Sequence, residues 1–149
     1  MTKLQAIRDF TSFVCEDKVV FIRKRLDENN WAMSVADKNP RLQLPADISV
    51  PMDEGDCAFR KNFVKRCPLA QGFSHITLTL LHECGHWMTR SAMDIVEYDR
   101  MVEQSGEDCE EYFNIPWEHL ATDWAICWLY SPANRKVAKA FEKEYFGHA

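Results

Sequence analysis

Glycine and proline are scarce, at 5 and 6 positions in 149 residues, which excludes a collagen-like chain or a long flexible linker. No apolar run approaches the ~18 residues of a bilayer-crossing helix, so no membrane span is expected. A basic surplus is also missing: 18 Lys and Arg stand against 23 Asp and Glu, a net charge of −5. A general nucleic-acid binder needs the opposite balance to neutralise phosphates, so nucleic acid is not an expected partner. The cysteines at 15, 57, 67, 84, 109 and 127 form no Cys-x-x-Cys pair. That argues against both a cysteine zinc ribbon and a disulfide-stapled secreted scaffold. The opening residues, Met1-Thr2-Lys3-Leu4-Gln5-Ala6-Ile7-Arg8-Asp9, carry charge where a signal peptide has its apolar segment. A reduced, cytoplasmic protein is the expectation.

What is present fits a packed domain. Hydrophobic residues make up 46% and charged residues 28%, and the 12% of aromatics can fill a core. At 17.4 kDa, with no repeat or low-complexity tract, residues 1–149 read as one domain.

Along the chain, Leu4, Ile7, Phe10 and Val14, then Val19, Ile22 and Leu26, recur at three- and four-residue steps. This spacing predicts helix over 3–28, in one or two pieces, ended by Asn29-Asn30. Residues 31–45 read as irregular, punctuated by Pro40 and Pro45. Ile48-Ser49-Val50 reads as a short edge strand bracketed by Pro45 and Pro51. Residues 51–68 read as loop, their basic residues Arg60, Lys61, Lys65 and Arg66 forming a solvated face. Ser74 is placed to cap a helix over 74–89. Residues 91–104 read as loop with helical stretches. Asn114 and Pro116 mark the start of a helix running to Tyr130, and Ser131-Pro132 opens a last helix over 132–146.

The informative segment is His82-Glu83-Cys84-Gly85-His86, a His-Glu-x-x-His spacing inside the apolar run of the 74–89 helix. On a helix the two histidines lie about 40° apart one turn up, so both imidazoles can reach one ion. Glu83 lies beside them, where a carboxylate can serve a metal-bound water as general base; zinc brings such a water's pKa to about 7. This is the arrangement of zincin peptidases. Gly85 costs about 1 kcal/mol against alanine in a helix, which points to close approach of another element. Cys84, about 200° from His82, is expected in the core. A catalytic zinc needs a third protein ligand. Glu118 is favoured, because Ala121, Thr122 and Ala125 on its face let two helices approach closely. His119, Asp123 and Asp94 are alternatives; Asp123 lies about 140° from Glu118 and suits an orienting or salt-bridging role better. His75, Tyr98 and Tyr112 are each candidates to stabilise a tetrahedral intermediate. The tryptophans at 31, 87, 117, 124 and 128 are assigned mainly to the core.

Thr79-Leu80-Leu81-His82-Glu83-Cys84-Gly85-His86-Trp87-Met88-Thr89 resembles the Thr-Leu-x-His-Glu-Leu-x-His-Trp-Thr stretch of the metallopeptidase domain in ArdC-type antirestriction proteins and related phage and plasmid polyvalent proteins. Asp47-Ile48-Ser49-Val50-Pro51, followed by Phe59, is similar to their Asp-x-Ile-x-x-Pro strand. Glu118-His119-Leu120-Ala121-Thr122-Asp123 resembles their Glu-Glu-Leu-x-Ala-Glu, whose first Glu is the expected ligand. The resemblance covers about residues 45–130, leaving 1–44 as an N-terminal helical extension too short for the single-stranded-DNA-binding domain of full-length ArdC-type proteins. His119, Asp123 and Cys84 depart from the pattern. More distantly, Glu118, Ala121, Trp124, Ala125 and Pro132 are similar to a pattern of ImmA/IrrE-like metallopeptidases.

Together these readings imply a compact, helix-rich α+β fold of minimal zincin type, its small sheet packed on the helix bearing the two histidines. One Zn2+ per chain would be held by His82, His86 and Glu118, with Glu83 the catalytic base acting on a protein or peptide substrate. The alternative is a catalytically silent, zinc-stabilised antirestriction or protein-binding module.

Overall fold

The structure, a computed structural model, describes residues 2–18, 20–24, 31–34, 39–45, 58–92, 94–105 and 109–147. These residues form a predominantly helical α+β fold with one small mixed sheet. Among them no helix is long and apolar enough to cross a membrane.

Helix α1 (Lys3–Val14) starts at Thr2, whose side chain accepts from the Gln5 amide at 3.1 Å. It stops far short of residue 28. Glu16 and Asp17 take positive φ values of 58° and 63°, a conformation that cannot continue a right-handed helix. The Asp17 amide turns back to the Ser12 carbonyl at 2.8 Å. The chain then re-emerges as strand β1 (Phe21–Lys24). Residues 19–22, Val-Val-Phe-Ile, are β-branched or aromatic and favour extended backbone, although their apolar spacing mimics a helix. Val19 and Leu26 lie outside the described residues.

The stretch read as irregular holds β2 (Ala32–Ser34) and β3 (Arg41–Leu44). The sheet order is β1-β3-β2, with β1 parallel and β2 antiparallel to β3. Leu42 and Leu44 of β3 face the core while Arg41 and Gln43 are partly exposed, the period-2 pattern of a half-buried strand. Strands of three and four residues carry too little periodicity to be seen in sequence. The expected strand at Ile48-Ser49-Val50 lies outside the described residues.

Within 58–68, read as loop, stands α2 (Ala58–Arg66), followed by a tight turn at Pro68–Gly72. Its basic residues are not all solvated. Arg60 donates to the carbonyls of Gln71 (3.1 Å) and Phe73 (2.9 Å), and Arg66 pairs with Asp123. Helix α3 (His75–Met88) is capped by Ser74, as expected. Helix α4 (Ile95–Ser105) fills most of the segment read as loop with helical stretches, and α5 (Cys109–Asn114) follows. Asn114 therefore ends α5; it does not cap α6 (Pro116–Leu129), which begins on its proline without a side-chain cap. Helix α7 (Pro132–Phe146) has Ser131 as N-cap.

Helix α3 is the centre of the molecule, packed against α6, β2, α1 and α2. Its N-terminus is also held from outside. Glu142 of α7 accepts from the Ser74 amide at 2.6 Å and from the Thr77 hydroxyl at 2.7 Å, placing negative charge at the positive end of the helix. Helix α7 in turn packs on α1, with the Phe10 and Phe141 rings stacked 4.5 Å apart.

Candidate metal centre

Gly85 is the pivot of the site. A Cβ there would run into the Ala121 carbonyl oxygen and stand 2.9 Å from its carbonyl carbon. Only glycine lets α3 and α6 approach so closely, and Ala121 and Ala125, both fully buried, supply the matching small surface on α6. This closeness brings one carboxylate of α6 against two imidazoles of α3.

His82, His86 and Glu118 converge, each offering one donor atom, with all of these within 4.8 Å of one another. The three are buried, at 6%, 5% and 2% exposure. Glu118 Oε1 lies 3.1 Å from His82 Nε2 and 3.2 Å from His86 Nε2, while Oε2 lies 2.8 Å from His86 Nε2. The opposite ring nitrogen of His82, Nδ1, is 2.8 Å from the Thr122 hydroxyl. Thr122 thereby fixes the orientation of the ring that turns Nε2 toward Glu118. His86 Nδ1 has no hydrogen-bond partner among the described residues.

Burial opposes ionisation of Glu118, but hydrogen bonds from His82 and His86, reinforced by their charge, hold its carboxyl well below the usual carboxylate range. For His86, burial is likewise outweighed by Glu118, which raises the imidazole. The three donor atoms thus meet at the point a cation would occupy. Two imidazole nitrogens and one carboxylate oxygen, all facing one point in a dry pocket, are a donor set suited to a divalent transition metal. The group can hold a metal ion.

Glu83 contributes no donor to this group. It is only partly buried and takes a hydrogen bond from the Met33 amide of β2. Burial pushes its carboxyl up, and His86 and His82 pull it back only in part. A carboxyl raised in this way is a stronger proton acceptor than an ordinary carboxylate.

The remaining candidates separate. Asp123 pairs with Arg66 and, at 3.1 Å, with His119 Nδ1, so both α6 alternatives are engaged away from the trio. Asp94 caps α4 by accepting from the Glu97 amide at 3.2 Å. Cys84 is fully buried; a hydrogen bond with Cys15, and burial, push its thiol well up. His75 lies against the Phe59 ring at 5.9 Å. Tyr98 donates to Glu118 Oε2 at 3.0 Å. Tyr112 stands behind it, within hydrogen-bonding reach of Tyr98 and Glu118. Burial and the Glu118 charge push both phenols above the ordinary tyrosine range, which keeps them as neutral hydroxyls.

Trp87 is buried in the core, but Trp117 stands at the site, its ring 4.2 Å from that of His86 and its Nε1 donating to Thr89 Oγ1 at 3.3 Å. Phe59 closes the other side, edge-on to His82 at 5.3 Å. Trp117 thus lines the site and is not one of the core tryptophans, and Phe59 has a place beside the histidines that its spacing does not announce. Adjacency to Glu118 was the available signal for Trp117. Neither a protein-family model, nor a curated protein, nor a solved structure matches this chain.

Proposed function

We propose that this chain is a zinc-dependent metallopeptidase holding one Zn2+ through His82, His86 and Glu118. The observation that carries the reading is the buried convergence of those three donors beside a second carboxylate, Glu83, that is not spent as a ligand. A zinc ion there would supply a water of pKa about 7 and polarise the scissile carbonyl. Glu83 takes the proton from the attacking water and delivers it to the departing amine, so the proton balance closes within one residue. Among the described residues no fourth protein donor joins the trio, which suits a centre that keeps a position for solvent. The buried thiols Cys15, Cys67 and Cys84, free in the structure, support a reduced, cytoplasmic setting. The resemblance to ArdC-type domains supports a mobile-element role, with a host or phage protein as substrate.

One observation favours the second reading, a silent zinc-stabilised antirestriction or protein-binding module: the trio is almost wholly enclosed. Both readings meet one experiment. Zinc-loaded protein and its Glu83→Gln variant are incubated with a proteome-derived peptide mixture, and new termini are read by mass spectrometry. The expected result is cleavage by the wild type, a loss of about 10²–10⁴-fold in the variant, and one metal per chain in both. Equal cleavage by the variant removes Glu83 as base. Metal uptake without cleavage by either protein establishes the silent module.

A further inference from the structure

The two oxygens of Glu118 have different surroundings. Oε1 faces both imidazoles, at 3.1 Å and 3.2 Å. Oε2 is close to His86 and also accepts the Tyr98 hydroxyl at 3.0 Å. Tyr98 comes from α4, a helix that carries none of the donors, and its ring is braced edge-on against Trp117 at 4.8 Å. Trp117 is itself fixed, by its contact with His86 and its bond to Thr89. The phenol is therefore held on one carboxylate oxygen by a rigid aromatic support.

A carboxylate can bind a metal through one oxygen or two. Two-oxygen binding adds a protein donor and fills the position solvent would take. A hydrogen bond accepted by one oxygen withdraws its electron density and occupies a lone pair, leaving the other as the better donor. We propose that Tyr98 is a positioning residue that confines Glu118 to metal ligation through Oε1 and so keeps the fourth position of the centre open. This rests on the metal reading above, and it deepens that reading, because it explains how a carboxylate ligand avoids closing its own centre.

The test uses cobalt(II) as a spectroscopic substitute, loaded into the full chain and into Tyr98→Phe, which keeps the ring and its Trp117 contact. Tyr98→Leu serves as a second variant lacking the donor. The wild type is expected to give the intense visible absorption of four-coordinate cobalt. Both variants are expected to lose roughly twofold or more of that intensity as the second oxygen joins, the coordination geometry being diagnostic. Their metal dissociation constants are expected to change by up to about 10–100-fold, the usual range for outer partners of a ligand. Cobalt uptake with identical spectra in all three proteins overturns the role of Tyr98 and leaves the metal centre standing. No cobalt uptake by the wild type overturns the metal reading and this proposal with it.

Discussion

The backbone of Ala121 occupies the space where Gly85 would carry a side chain, its Cα standing 3.1 Å from a Cβ built there. Gly85→Ala must therefore push α6 away from α3, and the carbonyl that moves belongs to the helix that carries Glu118. Overpacking of this kind costs about 1–3 kcal/mol, more than the ~1 kcal/mol alanine returns in a helix. A lower urea midpoint together with lost metal stoichiometry is the expected pair of results. An unchanged midpoint with full metal uptake would show that the helices can separate without disturbing the centre.

The Thr122 hydroxyl sets the orientation of His82 through its 2.8 Å contact with Nδ1. Thr122→Val keeps the shape and removes the partner. Its metal affinity, measured by competition with a chromophoric chelator, should fall by about 10–100-fold, while Thr122→Ser should stay within a few-fold of wild type. Equal affinity in valine and serine variants would place the control of His82 elsewhere.

Glu142 satisfies the Ser74 amide and the Thr77 hydroxyl at the start of α3. Glu142→Ala should cost about 1–2 kcal/mol in chemical denaturation, the value of a helix cap strengthened by the dipole. Glu142→Gln, which retains an acceptor and loses the charge, should cost less. If the alanine variant unfolds at the wild-type midpoint, the Ser74 side chain alone suffices as the cap.

Much of the centre was legible because it is written in local spacing. His82 and His86 share a helical face by arithmetic, and the bulky run from Ile76 to Leu81 with Ser74 before it announces that helix. Gly85 signalled close approach because nothing in a helix favours glycine. The long capped helix α7 was likewise visible, but β1 was not, since Val19, Ile22 and Leu26 fit a helical spacing while Val20 and Ile22 fit an extended one. Only the left-handed turn at Glu16 and Asp17 separates the two readings. Helix α2 was hidden by its charge: Phe59 and Phe63 are few apolar residues among four basic ones, and the Arg66 tie to Asp123 lies across the fold. The same limit applied to Tyr98, which was indistinguishable from His75 and Tyr112 until the packing of α4 against α6 was known.

The clamp that Glu142 places on α3 sets how mutational effects spread through the molecule. Helix α7 supplies no donor atom, and its other face is occupied with α1 through the Phe10 and Phe141 stack. Sensitivity of the centre to substitution will accordingly not decay smoothly with distance. A change in the seam between the first and last helices can reach the imidazoles along the axis of α3, whereas a nearer solvent-facing position such as Leu120 can be silent.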